Sequence, residues 1–211
     1  ALAGSTGLLV VPEDAVRKEV IQLLCVEPMS HSQLNKALAE DINRETGMER
    51  VIDSVATFKK PTTSAGSTGK GLYELKPEYY KEYNHFFYHY TREEQSRAEE
   101  RQIGRKKANN EPACNPPPLP PRLTRQFRNI QNLMHCDVFV YLLSIVLERA
   151  DNLKTRCFSE SQVHRVLHLI GLALLEEERQ RQDGQSDFQF TKNSENVKLY
   201  GLMERLVGSQ R

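Results

Sequence analysis

The chain has 211 residues with 38% hydrophobic and 27% charged positions, the balance of a folded protein with a core, and enough length for one or two domains. A net charge of +1 gives no general pull toward nucleic acid or membrane surfaces. Four cysteines, Cys25, Cys114, Cys136 and Cys157, sit at no metal-clip spacing and form no dense disulfide framework. They read as reduced thiols, which points to the cytoplasm, with the nucleus as a second compartment.

Residues 1–11 lack the basic, apolar, then small-residue order of a signal peptide and are expected to be a flexible lead-in. Pro12–Val26 is expected to form a first helix with Val16, Val20, Leu23 and Leu24 inward, stopped by Pro28. Ser30 and Gln33 fit a capping box for a second helix through Leu38. After a polar turn at Asp41–Arg44, Thr46 with Glu49 suggests another box. It would open a third helix through Phe58 with Met48, Val51, Ile52, Val55 and Phe58 inward. Thr62–Lys70 is small, polar and glycine-rich, and Gly71–Lys76 is a short strand candidate. The pentapeptide at 3–7 and 65–69 is taken as coincidence of small residues. Three helices, a loop and a strand make the order of a winged helix over 12–76.

Tyr79, Tyr83, Phe86, Phe87 and Tyr90 then recur at three- and four-residue spacings. With Pro77 suited to a first helical position, they predict one long helix, Pro77–Lys107, inside a connecting unit 77–110. Such a helix would be packed along its aromatic half and solvated along the rest. Glu111–Pro121 holds six prolines and predicts a stiff, extended linker over 111–121. A helical bundle is expected over 122–211. Its first helix is Leu123–Met134 with Phe127, Ile130, Leu133 and Met134 inward. Asp137–Ala150, apolar nearly all round, is read as its central helix. Ser159 and Gln162 cap Glu160–Gln182, whose tail Glu176–Gln182 is expected to be exposed. A short strand or extended piece at Asp187–Thr191 and a last amphipathic helix through Leu199, Leu202, Met203, Leu206 and Val207 follow. The fold class is mainly α within α+β. The apolar runs Val138–Leu147 and Val166–Leu175 are each about half the roughly 20 residues a membrane span needs, so no membrane is expected.

Chemistry is sparse. His85 and His89, and His164 and His168, have the spacing that presents two imidazoles to one metal, but no third ligand is evident. No nucleophile elbow or phosphate loop is present. A winged helix raises nucleic-acid binding as a rival function. Its third helix offers Glu45, Glu49 and Asp53 against Arg50, which repels phosphate, although Lys59, Lys60 and Lys70 are candidate wing contacts. Pro117, Pro120 and Arg122 fit a polyproline ligand for an SH3 or WW groove. Docking through the aromatic stripe is a further reading. It predicts exposed Tyr79, Tyr83 and Phe86, where packing predicts burial.

Several stretches together carry a resemblance. They are Val26-Glu27-Pro28-Met29 with His31-Ser32, Glu45-Thr46-Gly47, Val55-Ala56-Thr57-Phe58-Lys59-Lys60-Pro61 and Tyr73-Glu74-Leu75-Lys76. In the same order follow Phe87-Tyr88-His89-Tyr90, Ser96-Arg97-Ala98-Glu99, the proline run, Cys136-Asp137-Val138, Glu148-Arg149-Ala150 and Leu174-Leu175-Glu176-Glu177. Over roughly Val16–Leu206 the chain resembles the UBR-box N-recognins, RING-type ubiquitin ligases of the N-degron pathway. The resemblance implies a middle segment of such a ligase, between its substrate-reading and RING modules. It implies no catalytic or cofactor residue here. Zinc would belong to the UBR box and RING, which four dispersed cysteines cannot build. Conjugating enzyme and N-degron substrates would be partners of the parent protein, whose targets go to the proteasome, and the segment itself would be a scaffold.

Overall fold

A computed structural model describes residues 12–38, 47–60, 71–112, 114–152, 159–185 and 187–208. The lead-in 1–11, the turn at Asp41–Arg44, the loop residues 62–70 with Lys70, both copies of the pentapeptide and Cys157 lie outside these. The chain divides into two compact units, Ala1–Pro118 and Leu119–Arg211.

In the first unit, helix α1 (Pro12–Val26) is the centre. Val16, Val20, Ile21, Leu24 and Cys25 are fully buried, each removing apolar surface worth roughly 1.5–3 kcal/mol for a large side chain. Helix α2 (His31–Ala37) opens on the expected box: the Gln33 N–H donates to Ser30 Oγ at 3.4 Å, and the Ser30 N–H donates to Gln33 Oε1 at 2.8 Å. Helix α3 (Met48–Val55) buries Met48, Val51, Ile52 and Val55, as the spacing predicts.

The ends of α3 differ from expectation. Its cap is Gly47, in the left-handed region at φ +60°, and Thr46 lies outside the described residues. At the other end the backbone leaves the helix after Val55. Ala56–Lys59 forms strand β1, antiparallel to β2 (Leu72–Leu75), with Ala56 opposite Leu75 and Phe58 opposite Tyr73. Thr57 and Phe58 favour a strand, and a pairing partner decides the matter. Phe58 is therefore half exposed rather than inward, its ring 5.2 Å from that of Tyr73. Tyr73 also exchanges backbone bonds with Met29, which gives the wing sheet a third, one-residue edge.

The single long helix does not form. Pro77–Glu82 is a short 3-10 helix, 83–91 is a chain of turns, and helix α4 starts afresh at Arg92 and runs to Ala108. Asn84 makes the break. Its side-chain Oδ1 accepts the Phe86 N–H at 3.1 Å and its carbonyl accepts the Phe87 N–H at 3.1 Å, the local bonding by which asparagine competes with helix. Thr91 and Glu94 then close a capping box, with the Glu94 N–H donating to Thr91 Oγ1 at 3.2 Å and the Thr91 N–H to Glu94 Oε2 at 2.8 Å. After α4 the described residues of the proline run, 111–112 and 114–121, have no regular structure.

The second unit contains a 3-10 helix (Arg128–His135) and helices α5 (Asp137–Asp151), α6 (Glu160–Gln182), α7 (Phe190–Asn196) and α8 (Leu199–Gly208). Val140, Leu143, Leu147, Val166, Ile170, Phe190 and Leu199 form its core. Two expectations fail here. The stretch before α5 is not an inward-facing α-helix: Phe127, Ile130 and Leu133 are exposed, and Met134 alone of the four packs against the core. Likewise α5 is not buried all round, since Val138, Tyr141 and Leu142 face outward. A third concerns the tail of α6, where Glu176, Glu177 and Arg179 are buried rather than solvated. Glu177 Oε1 accepts the Thr191 N–H at 3.2 Å, capping α7, whose own Gln189 supplies no side-chain cap. Residues 187–189 have no regular structure, and Phe190 and Thr191 already belong to α7. Among the described residues no single helix is long and apolar enough to cross a membrane.

Candidate functional site: a polar seam between the first helix and the aromatic arm

The most organised polar arrangement in the first unit lies where α1 meets the segment 77–108. Gln22 is its hinge pin, 1% exposed on a helix otherwise packed with aliphatic side chains. Its amide nitrogen donates to the Glu82 carbonyl at 2.8 Å, and its amide oxygen accepts the Asn84 N–H at 3.0 Å. Tyr90 donates its phenol proton to the Gln22 backbone carbonyl at 2.6 Å. The backbone groups freed where the 3-10 helix ends are thus met by one side chain, so burying them carries no desolvation penalty.

Around this pin the aromatics pack. Tyr83 and Phe87 are buried, and Tyr79, Tyr80 and Tyr90 lie against the core. Burial pushes the phenols of Tyr83 and Tyr90 well above their ordinary range, with nearby acids adding to it. The Cys25 thiol is pushed up to about 12 for the same reason and is inert rather than nucleophilic. Phe87 sits edge-on to Tyr90 with ring centroids 5.3 Å apart.

Helix α4 is fastened to the same surface. Ala98 and Gln102 are its buried positions, and the small Ala98 lets the backbone come close. Gln102 donates to Cys25 Sγ at 3.8 Å. Arg101 donates to the Leu24 carbonyl at 3.1 Å, to Tyr80 Oη at 3.2 Å and to Glu74 at 3.5 Å, joining α1, the aromatic arm and the wing. Ion pairs rim the seam: Arg17 is bidentate to Glu82 at 2.6 and 2.8 Å, and Arg97 meets Glu27 at 3.1 Å. The Glu82 carboxylate raises the Arg17 guanidinium above its usual value.

The histidines read as metal candidates are placed otherwise. His85 lies beside Tyr83 Oη at 3.2 Å, and His89 Nδ1 is 2.9 Å from Glu19. Since 83–91 is a chain of turns, the two no longer share a helical face. His164 and His168 remain one turn apart on α6.

Of the wing lysines two can be placed. Lys59 is paired with Glu74, Lys60 is exposed, and Lys70 lies outside the described residues. On α3 the exposed positions Glu49, Arg50 and Asp53 carry two acids to one base, which disfavours a phosphate backbone.

The polyproline residues are partly engaged. Arg122 is bidentate to Asp183 at 2.6 and 3.0 Å, and the Pro120 carbonyl accepts from Arg179 at 2.6 Å, while Pro117 belongs to the first unit. The Arg122 guanidinium holds the Asp183 carboxyl below the usual carboxylate range.

Neither Gln22 nor Arg101 stood out in the sequence. A glutamine inside the apolar run Val20–Val26 was the available signal for the first.

Comparison with known proteins agrees with this architecture. The family model for the E3 ubiquitin-protein ligase UBR1-like winged-helix domain matches residues 15–117. The E3 ubiquitin-protein ligase UBR1 of Drosophila melanogaster is 44% identical over 200 residues, which is 94% of this chain and 10% of that protein. The UBR2 ligase of Mus musculus is 49% identical over 168 residues, 80% of this chain and 9% of that protein, and its Homo sapiens counterpart is 47% identical over 166 residues, 79% of this chain and 9% of that protein. The chain thus spans about a tenth of the length of the curated relatives it matches.

Proposed function

Because this chain belongs to the UBR1-like winged-helix family of E3 ubiquitin ligases, we propose that it is an architectural segment that holds the substrate-binding and RING modules of such a ligase in position. The observation carrying this reading is the buried seam. A winged helix that read nucleic acid would leave α3 basic and free. Here α3 is acidic outward, and the most elaborate bonding instead clamps the segment 77–108, with α4 as its last part, onto α1. A helix of 17 residues, roughly 25 Å long, is thereby held at a fixed angle to the core. A joint of that kind transmits position and performs no chemistry.

In this reading the whole protein moves ubiquitin from a conjugating enzyme to a lysine of an N-degron substrate, in the cytoplasm and nucleus, and the bond-making steps lie outside these residues.

The test is made in the full-length ligase. Replacing Gln22 and Gln102 with alanine is expected to loosen α4 and to lower substrate ubiquitination. Affinity for an N-degron peptide and unanchored discharge of the loaded conjugating enzyme should stay as they were. Full substrate ubiquitination by a ligase whose α4 amides have lost protection from hydrogen exchange would overturn the scaffold role. So would discharge of the loaded conjugating enzyme by this segment alone.

A further inference from the structure

The second unit leaves an apolar helix face uncovered. On α5 one side packs inward through Val140, Leu143 and Leu147, while Val138 is 69% exposed, Tyr141 57% and Leu142 54%. Their spacing of three and four residues puts them in one stripe, continued by the half-buried Ile145. Folded chains rarely leave large contiguous apolar patches to water, and those that do use them for contact. Asp137 and Glu148 lie on the Tyr141 side of this stripe, at its two ends, since 137, 141 and 148 fall in one helical row. Both are exposed, and among the described residues neither is in an ion pair.

We infer that this face docks an amphipathic helix of the same ligase polypeptide, one whose apolar stripe is bordered on one side by lysine or arginine. Three features favour that occupant. Apolar surface along about two turns of helix, 138 to 145, matches helix-in-groove contact, which reads anchors at i, i+3, i+4 and i+7. The two unpaired carboxylates call for cations at both ends of one edge, a pattern that fixes register and direction. Relatives about ten times the length of this chain supply ample polypeptide to provide the helix. A lipid surface is the poorer match, because anionic headgroups would meet Asp137 and Glu148 with like charge, and α5 has only 15 residues. The inference rests on the scaffold reading above and names what the scaffold holds.

The experiment uses the full-length ligase carrying the photo-crosslinking residue p-benzoylphenylalanine in place of Tyr141, with a second variant at Val138; both positions are exposed and tolerate the change. The expected result on irradiation is an intrachain cross-link to an amphipathic helix with basic residues beside its stripe. Combining Asp137→Lys with Glu148→Lys should cut the yield several-fold. Cross-links to a second copy, to a separate protein or to lipid overturn the inference, as does an absence of cross-links from both positions. Substrate ubiquitination by the same preparation separates the two failures: an active ligase without the intrachain cross-link sinks this inference and leaves the scaffold role standing.

Discussion

The side chain of Gln22 bonds both sides of the break at Tyr83, donating to the Glu82 carbonyl at 2.8 Å and accepting the Asn84 N–H at 3.0 Å. A neutral amide carries the donor and the acceptor that both bonds need. Gln22→Leu keeps the volume and removes the bonding, so a buried donor and a buried acceptor go unmet. The expected loss is about 2–4 kcal/mol in the first unit, read from urea unfolding followed by tyrosine fluorescence. A loss within experimental error would show that water replaces the amide.

Two glycines should respond in opposite directions to alanine. A Cβ at Gly71 would stand 2.0 Å from Phe58 Cζ, whereas one at Gly104 would meet nothing within 4 Å. Gly71→Ala must push the half-exposed Phe58 ring away from Tyr73 and is expected to cost about 1 kcal/mol. Gly104→Ala lies on the exposed side of α4 and should stabilise by up to about 1 kcal/mol through helix propensity. Thermal melts of the two variants should move to opposite sides of the parent.

Glu176 and Arg179 form a buried ion pair on α6, the carboxylate side chain 1% and the guanidinium 10% exposed, and Arg179 also reaches the Pro120 carbonyl at 2.6 Å. Arg179→Met strands the carboxylate and is expected to destabilise the second unit by about 3–5 kcal/mol. The double change Glu176→Gln with Arg179→Met should recover part of that in a thermodynamic cycle. Equal stabilities of the single and double variants would argue against coupling.

High pH should weaken the first unit. Burial raises the Cys25 thiol from 9.0 to about 12, and the phenols of Tyr83 and Tyr90 rise above their ordinary 10.0. These groups keep their protons when folded and release them when unfolded. Their contribution is therefore complete below about pH 9 and is lost as pH climbs through the folded values. Unfolding free energies measured from pH 8 upward should fall, and Cys25→Ala should flatten the early part of that slope. At neutral pH a maleimide should label the exposed Cys114 quickly and Cys25 only on unfolding.

The polyproline hexamer is expected to bind better free than folded. An SH3 groove that takes Arg122 must first break its two bonds to Asp183. A peptide of residues 116–122 should therefore outbind the intact chain in a titration against an SH3 domain, and Asp183→Asn should narrow the difference. Equal affinities would mean that Asp183 does not restrain the motif.

Where signals were local, the sequence was readable. Ser30 with Gln33 and Ser159 with Gln162 announce their helices, because a capping box is complete within four residues. Thr91 with Glu94 announces one equally well, but the aromatic spacing from Tyr79 to Tyr90 hid it. Recurrence at three and four residues satisfies a helix and also satisfies turns that press each ring against a neighbouring helix. Strand β1 was concealed in the same way, since Val55-Ala56-Thr57-Phe58 prolongs the α3 period until a partner 16 residues on claims Ala56 to Lys59. Nothing local distinguishes Glu176, Glu177 and Arg179 from the solvated charges beside them; Arg179 is claimed by the Pro120 carbonyl and Glu177 by Thr191. The seam itself joins residues 60 and 62 positions apart, which spacing rules do not reach.

Since the pin of the seam is a glutamine and not a charged pair, its grip is indifferent to ionic strength and to mild acid. Brine would peel the outer ring of arginines and carboxylates and leave the Gln22 bonds to the Glu82 carbonyl and the Asn84 N–H as they were. A lever whose pivot ignores its solvent can be tuned by partners at its tip without drifting when the surrounding medium changes.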